Sequence, residues 1–322
     1  MKFKHSLNVF IDNFSLTYKH LLYRFIITVI EAVICIAIIT PFIKGLTGSA
    51  DFNNLVNGVK EFLKNLMNGE VGNLDETTKQ IKSAFISVKN LITDNRANIT
   101  WGVVGLYAVH IVVKFLTTLG NYASAAVIND RMALHANSPF IITFIRNLKR
   151  ACLYALCYVP LSLLYDAICF WLLYLVVFEL FAVLPVIYLP LQLFVFVAAI
   201  IVAIAFKMVF TTDWLPALIR GKMKIGEAFK FTFNRRGKKT LNVLSNFVVL
   251  ILLIFAMNVI GIVFTFGAGG LLTIPSSYII LLCFEFVNYY DREELKYFID
   301  KNTIIKPEKE KPVTREEFFR GE

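Results

Sequence analysis

Seven polar side chains stand inside stretches that are otherwise apolar: Glu31, His110, Lys114, Asp166, Glu179, Asn258 and Glu285. Ionisable groups surrounded by hydrocarbon are costly. Where they persist, they neutralise one another or line a path for protons, ions or a polar solute. Glu31 and Lys114 have opposite signs at similar depth on consecutive apolar stretches, so their placement predicts a pair. His110 precedes Lys114 by one helical turn, Asp166 and Glu179 share the third stretch, and Asn258 and Glu285 stand in the fifth and sixth. An inward-facing cluster of these groups would suit passage of an ion or polar solute. Separate pairing would suit static packing between helices.

Other chemistry finds little footing in the residues. There is no GxSxG and no HExxH, and His5, His20, His110 and His135 have no ligand spacing. Cys35, Cys152, Cys157, Cys169 and Cys283 all lie in apolar stretches, where cysteine acts as a small hydrophobe. Gly267-Ala268-Gly269-Gly270 lacks the Lys-Ser/Thr of a phosphate loop and reads as a tight turn. The expectation is therefore no catalytic residue, no metal and no cofactor. Gly102, Gly105, Gly120, Ala123 and Ala126 read as small residues that let helices approach closely.

The elements that must position these groups are six apolar stretches at about 22–43, 101–125, 152–182, 189–211, 241–264 and 271–290. A helix rises about 1.5 Å per residue, so roughly 20 residues cross a hydrocarbon layer of about 30 Å. Of 322 residues 57% are hydrophobic and 17% charged, against about 45–50% and about 25% in soluble domains. The excess is concentrated in blocks. From Ala167 to Phe206 the only carboxylate or base is Glu179, which suits two membrane helices joined by a turn at Leu184–Pro190. The fold class expected is all-α, a polytopic integral membrane protein with six transmembrane helices.

Amphipathic segments flank the spans. Phe3, Leu7, Phe10, Ile11, Phe14 and Tyr18 form a helical stripe that predicts a helix lying in the membrane interface; these first residues do not have the pattern of a cleavable signal peptide. Residues 44–99 are nearly neutral and predict a helical insert with short helices at 51–68 and 75–94 joined by a turn at Gly69–Asn73. Residues 299–322 form a charged tail, and the chain from Asp291 onward is expected to fray.

The net charge of +10 is not spread as a nucleic-acid binder would spread it. Basic residues collect before the first span, between the second and third, and between the fourth and fifth. From Lys207 to Lys239, nine Lys/Arg stand against Asp213 and Glu227. Loops rich in Lys and Arg face the cytoplasm, so the chain is expected in the cell membrane with both termini cytoplasmic and 44–99 outside. Lys230, Arg235, Arg236, Lys238 and Lys239, beside alternating Phe229, Phe231 and Phe233, predict contact with anionic phospholipid headgroups rather than nucleic acid. Three segments of this kind, Phe3–Tyr23, Pro139–Tyr154 and Ile225–Val243, each precede a hairpin of spans. Similar periods suggest three parallel repeats of an interfacial helix plus a hairpin.

Gly226-Glu227-Ala228-Phe229, Thr265-Phe266-Gly267-Ala268-Gly269 and Val287-Asn288-Tyr289-Tyr290 give residues 225–298 a resemblance to six-span membrane proteins of low-GC Gram-positive bacteria. These include the membrane domain fused to some glycerophosphodiester phosphodiesterases. The resemblance implies a six-helix membrane module and no enzymatic residue, because the phosphodiesterase chemistry belongs to a separate domain. Three functions follow as expectations. The first is a scaffold or envelope-associated role without catalysis, with other membrane proteins as partners. The second is a transporter or permease component for a small polar or lipid-like substrate. The third is a membrane enzyme acting on lipid.

Overall fold

The computed structural model describes residues 2–47, 96–183, 189–233, 238–305 and 313–314, together with scattered positions between 53 and 86. Side chains are described over 2–41, 100–175, 194–231 and 240–305, besides some of those scattered positions. The turn expected at 69–73 and residues 184–188 of the turn expected at 184–190 lie outside the described residues, and Leu189 and Pro190 open a helix. The scattered positions that fall within 51–68 and 75–94 are helical.

The elements in chain order are α1 (Lys2–Asp12), α2 (Phe14–Thr47), α3 (Arg96–Leu134), α4 (Phe140–Val183), α5 (Leu189–Thr211), α6 (Trp214–Ile219), α7 (Ile225–Phe233), α8 (Lys238–Phe264) and α9 (Gly270–Arg292). Three short strands follow: β1 (Tyr297–Phe298), β2 (Thr303–Ile305) and β3 (Val313–Thr314). The chain is an all-α, six-span membrane protein. Its six apolar spans are Phe14–Pro41, Thr100–Leu134, Phe140–Leu175, Phe194–Ile219, Thr240–Phe264 and Gly270–Arg292. On α2, Leu22, Phe25, Ile26, Val29, Ile30 and Val33 are all exposed. Such a stripe would be a liability in water and is what hydrocarbon requires.

The chain divides into two compact units. One comprises Met1–Ile26, Phe115–Cys169 and Ala198–Glu322; the other comprises Ile27–Lys114 and Phe170–Val197. The first unit is built around α9, on which Cys283, Phe284, Phe286, Val287 and Tyr290 are fully buried. Both α1 and α8 pack along it. Phe3 stacks on Phe284 at 5.1 Å, and Phe247 meets the same ring edge-on at 5.2 Å. On α3, a Cβ added at Gly120 would collide with the ring of Tyr23, whose hydroxyl donates to the Leu116 carbonyl at 2.7 Å. Gly120 thus has the close-packing role expected of it. In the second unit Gly105 approaches Ile38 in the same way, less tightly.

Three expectations are corrected. First, the stripe expected to lie in the membrane interface is divided, with Phe3 and Phe10 packed into the protein. Ser6, Val9 and Phe10 are buried, whereas Leu7 and Ile11 of the expected stripe are exposed. The buried face continues through Asn13, Leu16, Thr17 and His20, so small and polar residues join Phe10 in the core, while Leu7, Ile11 and Tyr18 of the stripe stay exposed. Asn13 separates α1 from α2, its side-chain amide donating to the Val9 carbonyl at 2.8 Å.

Second, the three proposed repeat units are not built alike. The segment 139–154 forms no separate helix, since α4 runs unbroken from Phe140 with Pro160 inside it. By contrast, α1 ends at Asp12, and Asn13 separates it from α2.

Third, the chain after Asp291 does not fray over 297–305. β1 and β2 pair antiparallel, with Tyr297 opposite Ile305 and Phe298 opposite Ile304, and β3 adds through Ile304 and Val313. Tyr297, Phe298, Ile299, Ile304 and Ile305 are buried, and that apolar burial outweighs the charge density of the surrounding tail.

The expected glycine turn is present. Gly267 has φ +96° and donates its N–H to the Ile262 carbonyl at 2.8 Å, closing α8 before α9 starts at Gly270.

Candidate functional site

Four membrane helices and α6 contribute residues at helical spacing to one cavity in the first unit. α3 supplies Thr118 and Asn121, α4 supplies Tyr154 and Tyr158, and α5 supplies Met208 and Thr211, with Leu215 from α6. α9 supplies Tyr278, Leu281, Leu282 and Glu285. Steps of three and four place each set on one helical face. The cavity volume is about 70 Å³, room for a few groups the size of water.

Glu285 is 7% exposed and has no hydrogen-bond or ion-pair partner among the described residues. Asn121 Oδ1 is buried and also without a partner there. Thr211 Oγ1 donates to the Lys207 carbonyl at 3.2 Å. One wall extends outward through aromatic contacts. Tyr278 stacks on His20 at 5.0 Å with ring planes 6° apart, and His20 Nδ1 lies 3.0 Å from Ser124 Oγ. Tyr154 stacks on Tyr158 at 5.2 Å, and Tyr158 meets Trp214 edge-on at 6.0 Å. The cavity therefore combines one carboxyl, one amide, several hydroxyls and three tyrosine rings. Such a lining brings hydrogen-bonding groups and aromatic rings to one small space.

Ion pairs concentrate beyond this cavity, toward the ends of the helices where basic residues collect. Asp213 is fully buried, and Arg292 Nη1 reaches its Oδ2 at 2.7 Å. The same guanidinium donates to the Phe231 carbonyl at 3.2 Å and lies 4.0 Å from the Phe231 ring centre. One arginine thus ties the α5–α6 junction, α7 and the end of α9 together. Arg131 Nε pairs with Asp12 at 2.6 Å, and Arg146 with Asp130 at 2.9 Å. Lys2 Nζ donates to Asn288 Oδ1 at 3.1 Å and lies 3.7 Å from Asp291. Tyr297 donates to Asp291 Oδ1 at 3.1 Å, and His5 Nδ1 lies 3.1 Å from the Tyr297 hydroxyl. Burial holds the His5 imidazole below its usual 6.5, as do the N-terminal amine and Lys4, while Asp291 opposes them. Burial and the Asp291 charge raise the Tyr297 phenol.

Of the polar residues singled out from the sequence, only Glu285 lies in the cavity. Glu31 and Lys114 are both half-buried, yet no hydrogen bond or ion pair joins them, which corrects the expected pair. The reason is helical phase. On α3 the contact points with α2 are Gly105 and Gly120, nine residues before and six after Lys114. At 3.6 residues per turn, Lys114 is more than about 100° around the helix from both. His110 is exposed. Asp166 pairs instead with Lys207 on α5 at 2.6 Å, and Lys207 also lies 5.8 Å from the Tyr165 ring centre. Asn258 donates to Ser277 at 2.9 Å and joins α8 to α9. The side chain of Glu179 lies outside those described.

Of the headgroup candidates, Lys230 is exposed on α7. Lys238 and Lys239 stand in the first turn of α8, their side chains outside those described, and Arg235 and Arg236 lie outside the described residues.

The residues missed from the sequence are Asn121, Tyr154, Tyr158, Tyr278, His20, Lys207 and the Asp213–Arg292 pair. Some signal was there. Tyrosines four apart in an apolar run bring two polar tips to one face, which need partners or a wet cavity. The chain matches no family model, no curated protein and no solved structure.

Proposed function

We propose that this protein is a permease-type component of the cell membrane, with both termini in the cytoplasm, that admits a small polar solute to the cavity beside Glu285. The observation that supports this reading is the convergence of four membrane helices on one cavity whose single carboxyl has no partner among the described residues. Static packing gives no reason to keep such a group there, since an apolar residue of similar size would be cheaper to bury. Placement near one membrane face fits as well. Glu285 precedes Arg292 by seven residues, about 10 Å along the helix. The chamber therefore sits within reach of the basic side, where Lys230 and the neighbouring cations would rest on anionic phospholipid headgroups. The likeness of residues 225–298 to six-span membrane modules agrees with a membrane-embedded role.

Purified protein in proteoliposomes, loaded with a pH-sensitive dye and challenged with small amines, alkali cations and neutral polar solutes, provides the test. Flux of one class above that of empty liposomes, lost in Glu285→Gln, is the expected result. No flux of any of these solutes would overturn it.

A second reading, a scaffold for other membrane proteins, is favoured by α1 and the β1–β2 hairpin, which build a folded platform at the end of α9. Cross-linking in native membranes that captured defined partners through this platform would support it.

A further inference from the structure

Resting on the permease reading, we infer that the cavity beside Glu285 is a binding site for a small monovalent cation of the ammonium class. The charge count comes first. Glu285 is the only carboxyl in the lining, so the site can balance one positive charge. No group of three or more His, Cys, Asp or Glu side chains suited to a metal occurs among the described residues. Divalent cations commonly take several carboxylate oxygens, which this lining does not offer.

The second step is the kind of ligand atom. Asn121 Oδ1 is a buried acceptor without a partner, and Glu285 adds carboxyl oxygens. Both call for N–H donors. An ammonium or primary alkylammonium ion presents three or four of these and brings the positive charge that lets a buried carboxyl ionise. Third, Tyr154, Tyr158 and Tyr278 line the same space. Aromatic faces attract cations, and a carboxyl set among aromatic rings suits an organic ammonium better than a strongly hydrated alkali ion. Last, the volume of about 70 Å³ is on the scale of ammonium or methylammonium with a water.

Calorimetric titration of the purified full chain in detergent, at constant ionic strength, tests the site itself. Ammonium and methylammonium chloride are the probes, with sodium and potassium chloride as the comparison. Saturable binding of the two ammonium ions is expected, stronger than that of sodium or potassium. Glu285→Gln should weaken it by about tenfold or more, the loss expected when a charge-assisted hydrogen bond is removed. Asn121→Leu keeps the carboxyl, guards against a folding failure of the first variant, and should weaken binding as well. Absence of saturable ammonium binding to the folded wild-type chain overturns the inference. So does tighter binding of sodium or potassium, and so does undiminished binding by both variants. Flux in proteoliposomes separates the two claims. Ammonium binding without flux keeps the site and sinks the permease reading. Flux of another solute that survives both substitutions sinks this site and leaves transport standing.

Discussion

His5 shows how single residues at the end of α9 tie the first turn of the chain to its last strands. Its ring meets Tyr297 edge-on, and burial disfavours the charged imidazole. Because the folded value lies below 6.5, the neutral ring is the form the fold favours. Its contribution to stability is complete above the unfolded value and is lost as the pH falls through the folded one. Thermal unfolding in detergent between about pH 8 and about pH 5 should therefore show the wild-type chain weakening as acid is added. His5→Gln should flatten that dependence while leaving the far-ultraviolet spectrum unchanged. An identical pH profile in the variant would show that His5 does not carry the effect. At this scale the sequence was a poor guide. A histidine among Lys2, Lys4 and Ser6 reads as an exposed polar residue, and its partner Tyr297 lies 292 positions away.

Among the elements, the junction of α5, α6, α7 and α9 depends on one arginine. Asp213 has no exposure, so removing Arg292 would leave a carboxylate in a low-dielectric setting, a change that typically costs about 3–5 kcal/mol. Arg292→Met and Asp213→Leu should each lower the unfolding temperature, and the double substitution should recover part of the loss. A double-mutant cycle reads this directly, and additive losses would show that the pair has no coupling. The elements themselves were legible from hydropathy, because membrane spans need long apolar runs and little else does. Their contacts were not. Glu31 and Lys114 matched in depth and sign, but depth is a one-dimensional quantity, and the phase of α3 against α2 decides which side chains meet. Gly120 carried that information, since its missing side chain admits Tyr23 and so marks the contact face. The face that α1 buries was hidden for a related reason. Ser6, Asn13, Thr17 and His20 do not look like core residues until helix packing and hydrogen bonds satisfy them.

For the molecule as a whole, the expected orientation predicts which surfaces an outside reagent can reach. The five cysteines form no disulfide, so a cysteine-free background is the natural starting point. A cysteine placed at Asn73 should react with an impermeant thiol reagent on intact cells, and one at Lys149 should react only after the membrane is opened. The opposite pattern would invert the topology and place the Glu285 chamber nearer the outer face.

The docking of α1 on α9 also sets an order of events during synthesis. Lys2 finds its partner Asn288 across 286 positions, so the first helix emerges from the ribosome long before its seat exists. Until the sixth span has been inserted, Lys2 and Phe3 have no seat on α9, and the apolar side chains of α1 can hold it at the membrane surface. A segment made before all six spans is thus among the last to reach its native place. A nascent protein cut short before α9 would keep that N-terminal segment undocked, a mark by which membrane proteases could recognise an unfinished chain.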